Sequence, residues 1–271
     1  MPPPAERGPN AVGLTPPVIA PPPLASGMAN PPPAPPTEPG LADLAIGVAI
    51  VWGVELGLGL MIALAGIAAG HGRSTRGFQL AMNPWLVLVT SLVSGACMAG
   101  VAWFMTSAKF RRPLFQGLIR RGISAGAAAW CAGLGFLAAA AAMGLMHLFS
   151  TGDSFMAKLA ASNEGLAVIC VVALALPFAE EAYYRGLIFP VLERWIGRWA
   201  LLAVAVWFTI PHVFQLAGDW IGVPIIFAMG CLWTWQRHRT GSLLPGLITH
   251  LAYNFTLMAA SVVARALGWE Q

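Results

Sequence analysis

Charge is what this sequence has least of. Only 10% of its 271 residues are Asp, Glu, Lys or Arg, against about a quarter in ordinary soluble domains. With 58% hydrophobic residues, this excludes a typical globular domain and predicts a polytopic membrane protein. The formal net charge of +4 is small, and the bases sit in short loops between apolar runs. That pattern excludes a nucleic-acid-binding face and turns the bases into topology signals. Cysteine is sparse as well. Cys97, Cys131, Cys170 and Cys231 each lie inside an apolar run without metal-ligand spacing, and they read as small buried hydrophobes. Tyrosine is rare, three residues against eleven Trp and thirteen Phe, which is a membrane-like aromatic balance. The chain also has no HExxH, the helical spacing by which many zinc hydrolases hold their metal.

Residues 1–41 stand apart. "MPPPAERGPNAVGLTPPVIAPPPLASGMANPPPAPPTEPG" is dominated by Pro, Ala and Gly and has no helical or strand period. It cannot bury enough surface to offset its ordering entropy, which predicts a disordered, partly polyproline-II tail. It lacks the basic start and apolar core of a signal peptide. PxxP matches such as Pro32 to Pro35 suit partner recruitment, with tether or spacer as the simpler role.

Seven apolar segments follow, near 42–69, 84–107, 123–149, 165–193, 199–217, 221–236 and 243–267. Each is close to the ~20 residues a helix needs to cross the hydrocarbon core. The expected fold class is therefore all-α, a polytopic membrane helix bundle of about seven transmembrane helices behind the disordered Pro-rich tail. Three N-terminal helices with a basic loop occupy 42–164, and a four-helix core occupies 165–271. Pro177, Pro211, Pro224 and Pro245 mark places where helices start, kink or open backbone groups to a cavity. Orientation follows from the bases. "KFRRPLFQGLIRR" carries Lys109, Arg111, Arg112, Arg120 and Arg121. Placing it in the cytoplasm puts Arg194, Arg198, Arg237 and Arg239 inside too and the loop with Lys158 outside, while the first loop, with Arg73 and Arg76, argues the other way. The expected location is a prokaryotic inner membrane, N-terminus inside and C-terminus outside.

Against this background "FAEEAYYRG" is out of place, because a charged side chain at a helix centre costs roughly 2.5–3.5 kcal/mol. Glu181 and Arg185 relieve each other at i and i+4, with the acid N-terminal to the base. Glu180 is about 100° around the helix from Glu181 and has no local partner. Two later spans supply candidates. "WFTIPHVF" sets Phe208 and His212 four apart, and "ITHLAYNF" does the same for His250 and Asn254. Convergence of the three faces on one cavity satisfies all of these groups at once. In this topology His250 is near the cytoplasmic end of its span and His212 near the outer end, so the helices must tilt for the two to meet. A lone membrane histidine is more often an interhelical hydrogen-bonder than a catalyst. His147 and Glu55, isolated in their spans, receive no role on that ground, and His71 and His238 read as solvated loop residues.

"EEAYYR", "FTIPH" and "HLAYN" resemble, in order, the EExxxR, FxxxH and HxxxN motifs of the CPBP family of intramembrane endopeptidases. That family includes the type II CAAX prenyl proteases and the bacteriocin-processing or immunity proteins called Abi. The resemblance covers about Leu166 to Leu257 and is helped by "YRGLIFPVLER" and "RTGSLLPGLITH". It implies that Glu180 is the general base for the attacking water and that His212 helps hold and polarise that water. It also implies that His250 and Asn254 stabilise the oxyanion, with Glu181, Arg185 and Phe208 in support. Such a division meets the needs of amide hydrolysis: a base, oxyanion donors and a proton for the leaving amine.

A metal-free mechanism without cofactor is the favoured expectation. A zinc-type alternative would take Glu180, His212 and His250 as ligands. The expected partners are membrane lipid and a peptide or protein substrate: a prenylated protein, a bacteriocin precursor or another membrane peptide. Two other classes compete. One is a non-enzymatic membrane scaffold or immunity protein of the same fold. The other is a proton-coupled transporter, which the lack of an internal repeat disfavours.

Overall fold

The computed structural model describes residues 38–68, 80–111, 122–152 and 154–269. Residues 1–37 of the Pro-rich segment lie outside that range, as do Arg73, Arg76, Arg112, Arg120 and Arg121. Among the described residues every regular element is a helix. α1 spans Leu41–Ala68, α2 Pro84–Ala108 with a π-wound last turn, and α3 Ala125–Phe149. A short α4, Phe155–Ala160, leads into α5, Asn163–Glu180. α5 runs through a π-wound stretch, Glu181–Ile188, into α6, Phe189–Ile196. α7 is Ala200–Gln215, α8 Gly222–Thr240 and α9 Leu244–Ala266. A helix therefore stands at each of the seven expected spans.

Local chemistry fixes the ends. Asn83 accepts from the Leu86 amide and Pro84 opens α2. Ser124 and Ser162 accept from the Ala127 and Gly165 amides, each satisfying one of the amides that a helix start leaves unpaired.

Five stretches are long and apolar enough to cross a bilayer: α1, α2, α3, α9 and the continuous run Asn163–Gln215. At 1.5 Å per residue that run would measure about 80 Å, far more than the roughly 30 Å of the hydrocarbon core. It turns back at Gly197, whose φ of 58° and ψ of −138° suit a residue without Cβ. α7 then returns through the bundle. α8 does not qualify as a span by itself because it ends in "QRHRT". The protein is an integral membrane protein.

α9 is the hub, packing on α3, α5 and α8; α7 lies on α8, and α2 joins α5 to α1. The α3–α9 contact is close. A Cβ at Gly135 would stand 2.4 Å from the Thr249 carbonyl oxygen, the small-residue approach by which membrane helices gain packing without a hydrophobic driving force. The core around the site includes Met98, Tyr183, Leu187, Phe208, Trp233 and Tyr253.

Charge sorts by end. Lys109, Arg111, Arg194, Arg198, Arg237 and Arg239 stand where α2, α6 and α8 finish. Asp43 pairs there with Lys109, and Glu38 with Arg194. At the other end the described bases are Lys158 and Arg265.

Candidate active site

The three motif faces meet. Glu180, His212, His250 and Asn254 all line one cavity of about 180 Å³. His212 and His250 share it because α7, only 16 residues long, enters the bundle with its first residue, Ala200, already buried. The remaining wall includes Val87 and Ser91 of α2, Phe155 and Met156 of α4, and Val168 of α5. These belong to the end of the bundle away from the basic clusters.

The two adjacent glutamates differ in environment. Glu181 is 2% exposed and its Oε1 accepts from Arg185 Nη1 at 3.2 Å and His250 Nδ1 at 3.1 Å. Arg185 is fully buried. It also donates through Nε to Thr234 Oγ1 and through Nη2 to the Gly230 carbonyl, each at 3.2 Å. Its guanidinium lies 4.6 Å from the Phe208 ring centroid, a cation–π contact strengthened by desolvation. Glu180 is 13% exposed, faces the cavity, and has its Oε2 3.7 Å from His250 Nε2. The partner missing on its own helix is thus a histidine on α9. His250 stands between the two carboxylates, one ring nitrogen toward each.

His212 is held by its own helix. Its Nδ1 lies 2.8 Å from the Phe208 carbonyl oxygen, which can only accept, so the proton is on Nδ1 and Nε2 is the acceptor. Asn254 donates from Nδ2 to the Ala173 carbonyl at 2.7 Å. That carbonyl is open because its helical donor would be residue 177, a proline. One of the two Nδ2 hydrogens is so used, leaving the other on a side chain that lines the cavity.

Several members were not singled out from sequence. Trp233 stacks on His250 with centroids 3.6 Å apart and planes 17° apart, fixing the imidazole plane. Thr234 and the Gly230 carbonyl complete the Arg185 shell, and Arg237 Nε donates to the Arg185 carbonyl at 3.1 Å. All four lie on α8, where the bases, Pro224 and Cys231 had been read. The aromatic pair in "CLWTWQ" was the available signal. His238 is on α8 rather than in a loop and pairs with Glu193 at 2.5 Å. Glu55 bonds Ser94 of α2, away from the cavity. Among the described residues no three His, Cys, Asp or Glu side chains are grouped as a metal would require.

Residues 161–256 match the family described as Type II CAAX prenyl endopeptidase Rce1-like. Neither the curated proteins nor the solved structures yield a match. The matched stretch begins at the α4–α5 junction, ends within α9 and holds every residue of the three motifs. The chain is therefore an integral membrane protein whose segment 161–256 is similar to the Rce1-like type II CAAX prenyl endopeptidases.

Proposed function

We propose that the protein hydrolyses a peptide bond of a membrane-associated substrate in the Glu180 cavity, with Glu180 as general base. The contrast between the two glutamates carries this reading. Glu181 is occupied by Arg185 and His250 and sealed at 2% exposure, whereas Glu180 is the carboxylate with solvent access beside two histidines and an asparagine. A water in the cavity would give one hydrogen to Glu180 and the other to His212 Nε2. Glu180 then removes the proton as the oxygen attacks, and returns it to the leaving amine. The second Asn254 N–H is a donor for the developing oxyanion, and His250 Nε2 is another when the ring, lying between two carboxylates, carries a proton on each nitrogen; each such donor is worth about 3 kcal/mol of barrier. Glu181, Arg185 and Trp233 act through His250 by holding its plane and depth.

The decisive experiment is cleavage of membrane-tethered reporter peptides, prenylated and unprenylated, by purified protein. Wild type runs beside Glu180→Ala, with and without chelator. Cleavage that Glu180→Ala abolishes and chelator spares is the expected result. Loss with chelator, restored by zinc, overturns the metal-free mechanism in favour of Glu180, His212 and His250 as ligands. Faster turnover of the prenylated set selects a prenyl-protein substrate; equal turnover selects a general membrane peptide. The clustering of bases at one end supports a cytoplasmic location for that end, which puts the C-terminus and the α2–α4 wall of the cavity on the outer side. Protease protection of a C-terminal tag in oriented vesicles reads this directly, and a protected tag in right-side-out vesicles overturns it.

A further inference from the structure

α3 and α8 both pack on α9 and scarcely touch each other. The furrow between them has two parts. At the basic end lies a cleft of about 400 Å³ whose lining includes Ser124, Trp130, Cys131, Trp235, Gln236 and Arg239. Farther along the same helices lies an apolar groove of about 300 Å³, walled by Ala138, Ala142 and Leu145 of α3 and by Ile225, Ala228 and Met229 of α8. Neither part shares a lining residue with the Glu180 cavity.

We propose that this furrow holds one anionic glycerophospholipid, headgroup in the cleft and an acyl chain along the groove. Three features choose the occupant. The cleft is electropositive. Arg239 is exposed with no carboxylate in ion-pair range among the described residues, and Ser124 caps only the Ala127 amide at the start of 25-residue α3. Ser124 and Ala127 put the start of that helix in the cleft wall, where the positive end of its dipole favours a phosphate. Gln236 is the second feature. It lines the cleft at 5% exposure, spends its Nε2 on Thr249 at 2.8 Å, and its Oε1 accepts from nothing among the described residues. Oε1 is shielded as the side chain stands, and a headgroup hydroxyl, such as that of phosphatidylglycerol, supplies the missing donor once Gln236 turns toward the cleft. The third is length. Trp130 to Ala142 is about 18 Å along α3, the reach of an acyl chain descending from the interface. Exposed Trp130 and Trp235 flank the headgroup level, where tryptophan rings favour the membrane boundary. A prenylated substrate peptide is the poorer fit, because a C-terminal carboxylate at Arg239 would leave its scissile bond across α9 from Glu180.

Native mass spectrometry of the full chain, released from detergent after titration with dioleoyl-phosphatidylglycerol or dioleoyl-phosphatidylcholine, tests this. One phosphatidylglycerol should bind about tenfold tighter than phosphatidylcholine, a charge-assisted contact's share of affinity. Arg239→Gln should remove that preference. Ala141→Phe, an exposed wall residue of the groove, should lower binding of both lipids. Equal binding of the two lipids by wild type, or a preference that survives both variants, reduces the furrow to ordinary annular contact. Displacement of phosphatidylglycerol by a prenylated peptide, in a Glu180→Gln background that cannot consume it, assigns the furrow to substrate and overturns the lipid.

Discussion

In α1, 6% of the most apolar window is buried, whereas 44% is buried in the run Asn163–Gln215. Leu56, Leu60, Met61, Leu64 and Ile67 on α1 all stand exposed on the bundle surface. The glutamate of α1, Glu55, accepts a hydrogen bond from Ser94 of α2. The glutamate of the π-wound stretch, Glu181, accepts from an arginine and a histidine brought from four residues on and from another helix. Apolar composition alone suits a surface that faces lipid. A surface that holds charge within the bundle needs partners for it, because lipid offers no water to an unpaired group; Glu181 meets this through Oε1, while its Oε2 accepts from nothing among the described residues. The two regions should therefore respond to substitution on different scales.

The largest break falls on chemistry. Glu180→Gln keeps the shape of the side chain and removes the base, so peptide cleavage should drop by about 10²–10⁴-fold. Thermal unfolding in detergent should stay within a degree or two of wild type, since Glu180 makes no short bond among the described residues. Retained cleavage would end the assignment of Glu180 as base.

Arg185→Met comes next and falls on stability. It leaves Glu181 buried without its cation, which costs about 3–5 kcal/mol when a buried pair loses one partner. Arg185→Met combined with Glu181→Leu should regain much of that, because the orphan charge is gone. Cleavage should stay lost in the double variant, since His250 no longer has a group at Nδ1. A single variant as stable as wild type would mean that water reaches the pair.

Asn254 sharpens the comparison, because the proposed mechanism gives one side chain both a packing and a chemical part. Asn254→Ala opens the Ala173 carbonyl again, at about 1 kcal/mol of stability, and removes an oxyanion donor. Pro177→Ala gives that carbonyl back a helical N–H. The combination Pro177→Ala with Asn254→Ala should therefore unfold like wild type yet cleave as poorly as Asn254→Ala alone. Recovery of cleavage in the combination would make Asn254 a positioning residue only.

Much of this was legible in the sequence, for reasons that differ by level. Helix positions follow from apolar runs because a bilayer needs a fixed length of helix. The convergence of Glu180, His212, His250 and Asn254 follows from three polar faces having nowhere else to go in an apolar bundle. Pro177 marked an open backbone group, but that Asn254 answers it depends on the register between α5 and α9, which no local pattern encodes. The π winding of Glu181–Ile188 is likewise a tertiary outcome, stabilised by what Glu181 and Arg185 meet on α8 and α9. Trp233 was not legible because a tryptophan in an apolar span has the same composition whether it faces lipid or stacks on a buried imidazole.

The smallest effect is expected where the comparison began. Leu64→Val on α1 removes one methylene from a side chain 54% exposed on the bundle surface, and lipid tails are as apolar as the leucine they touch. Neither transfer nor cavity terms apply, so unfolding should shift by no more than about 0.5 kcal/mol, and cleavage should be unchanged. The same truncation at Leu187, 1% exposed in the π-wound stretch, does leave a void, and Leu187→Val should lower stability by roughly 1 kcal/mol. Measured side by side in detergent and in bilayer discs, the two should differ in both media. A Leu64→Val loss equal to that of Leu187→Val would mean that α1 is covered by protein in the membrane, and the contrast between the two regions would fall.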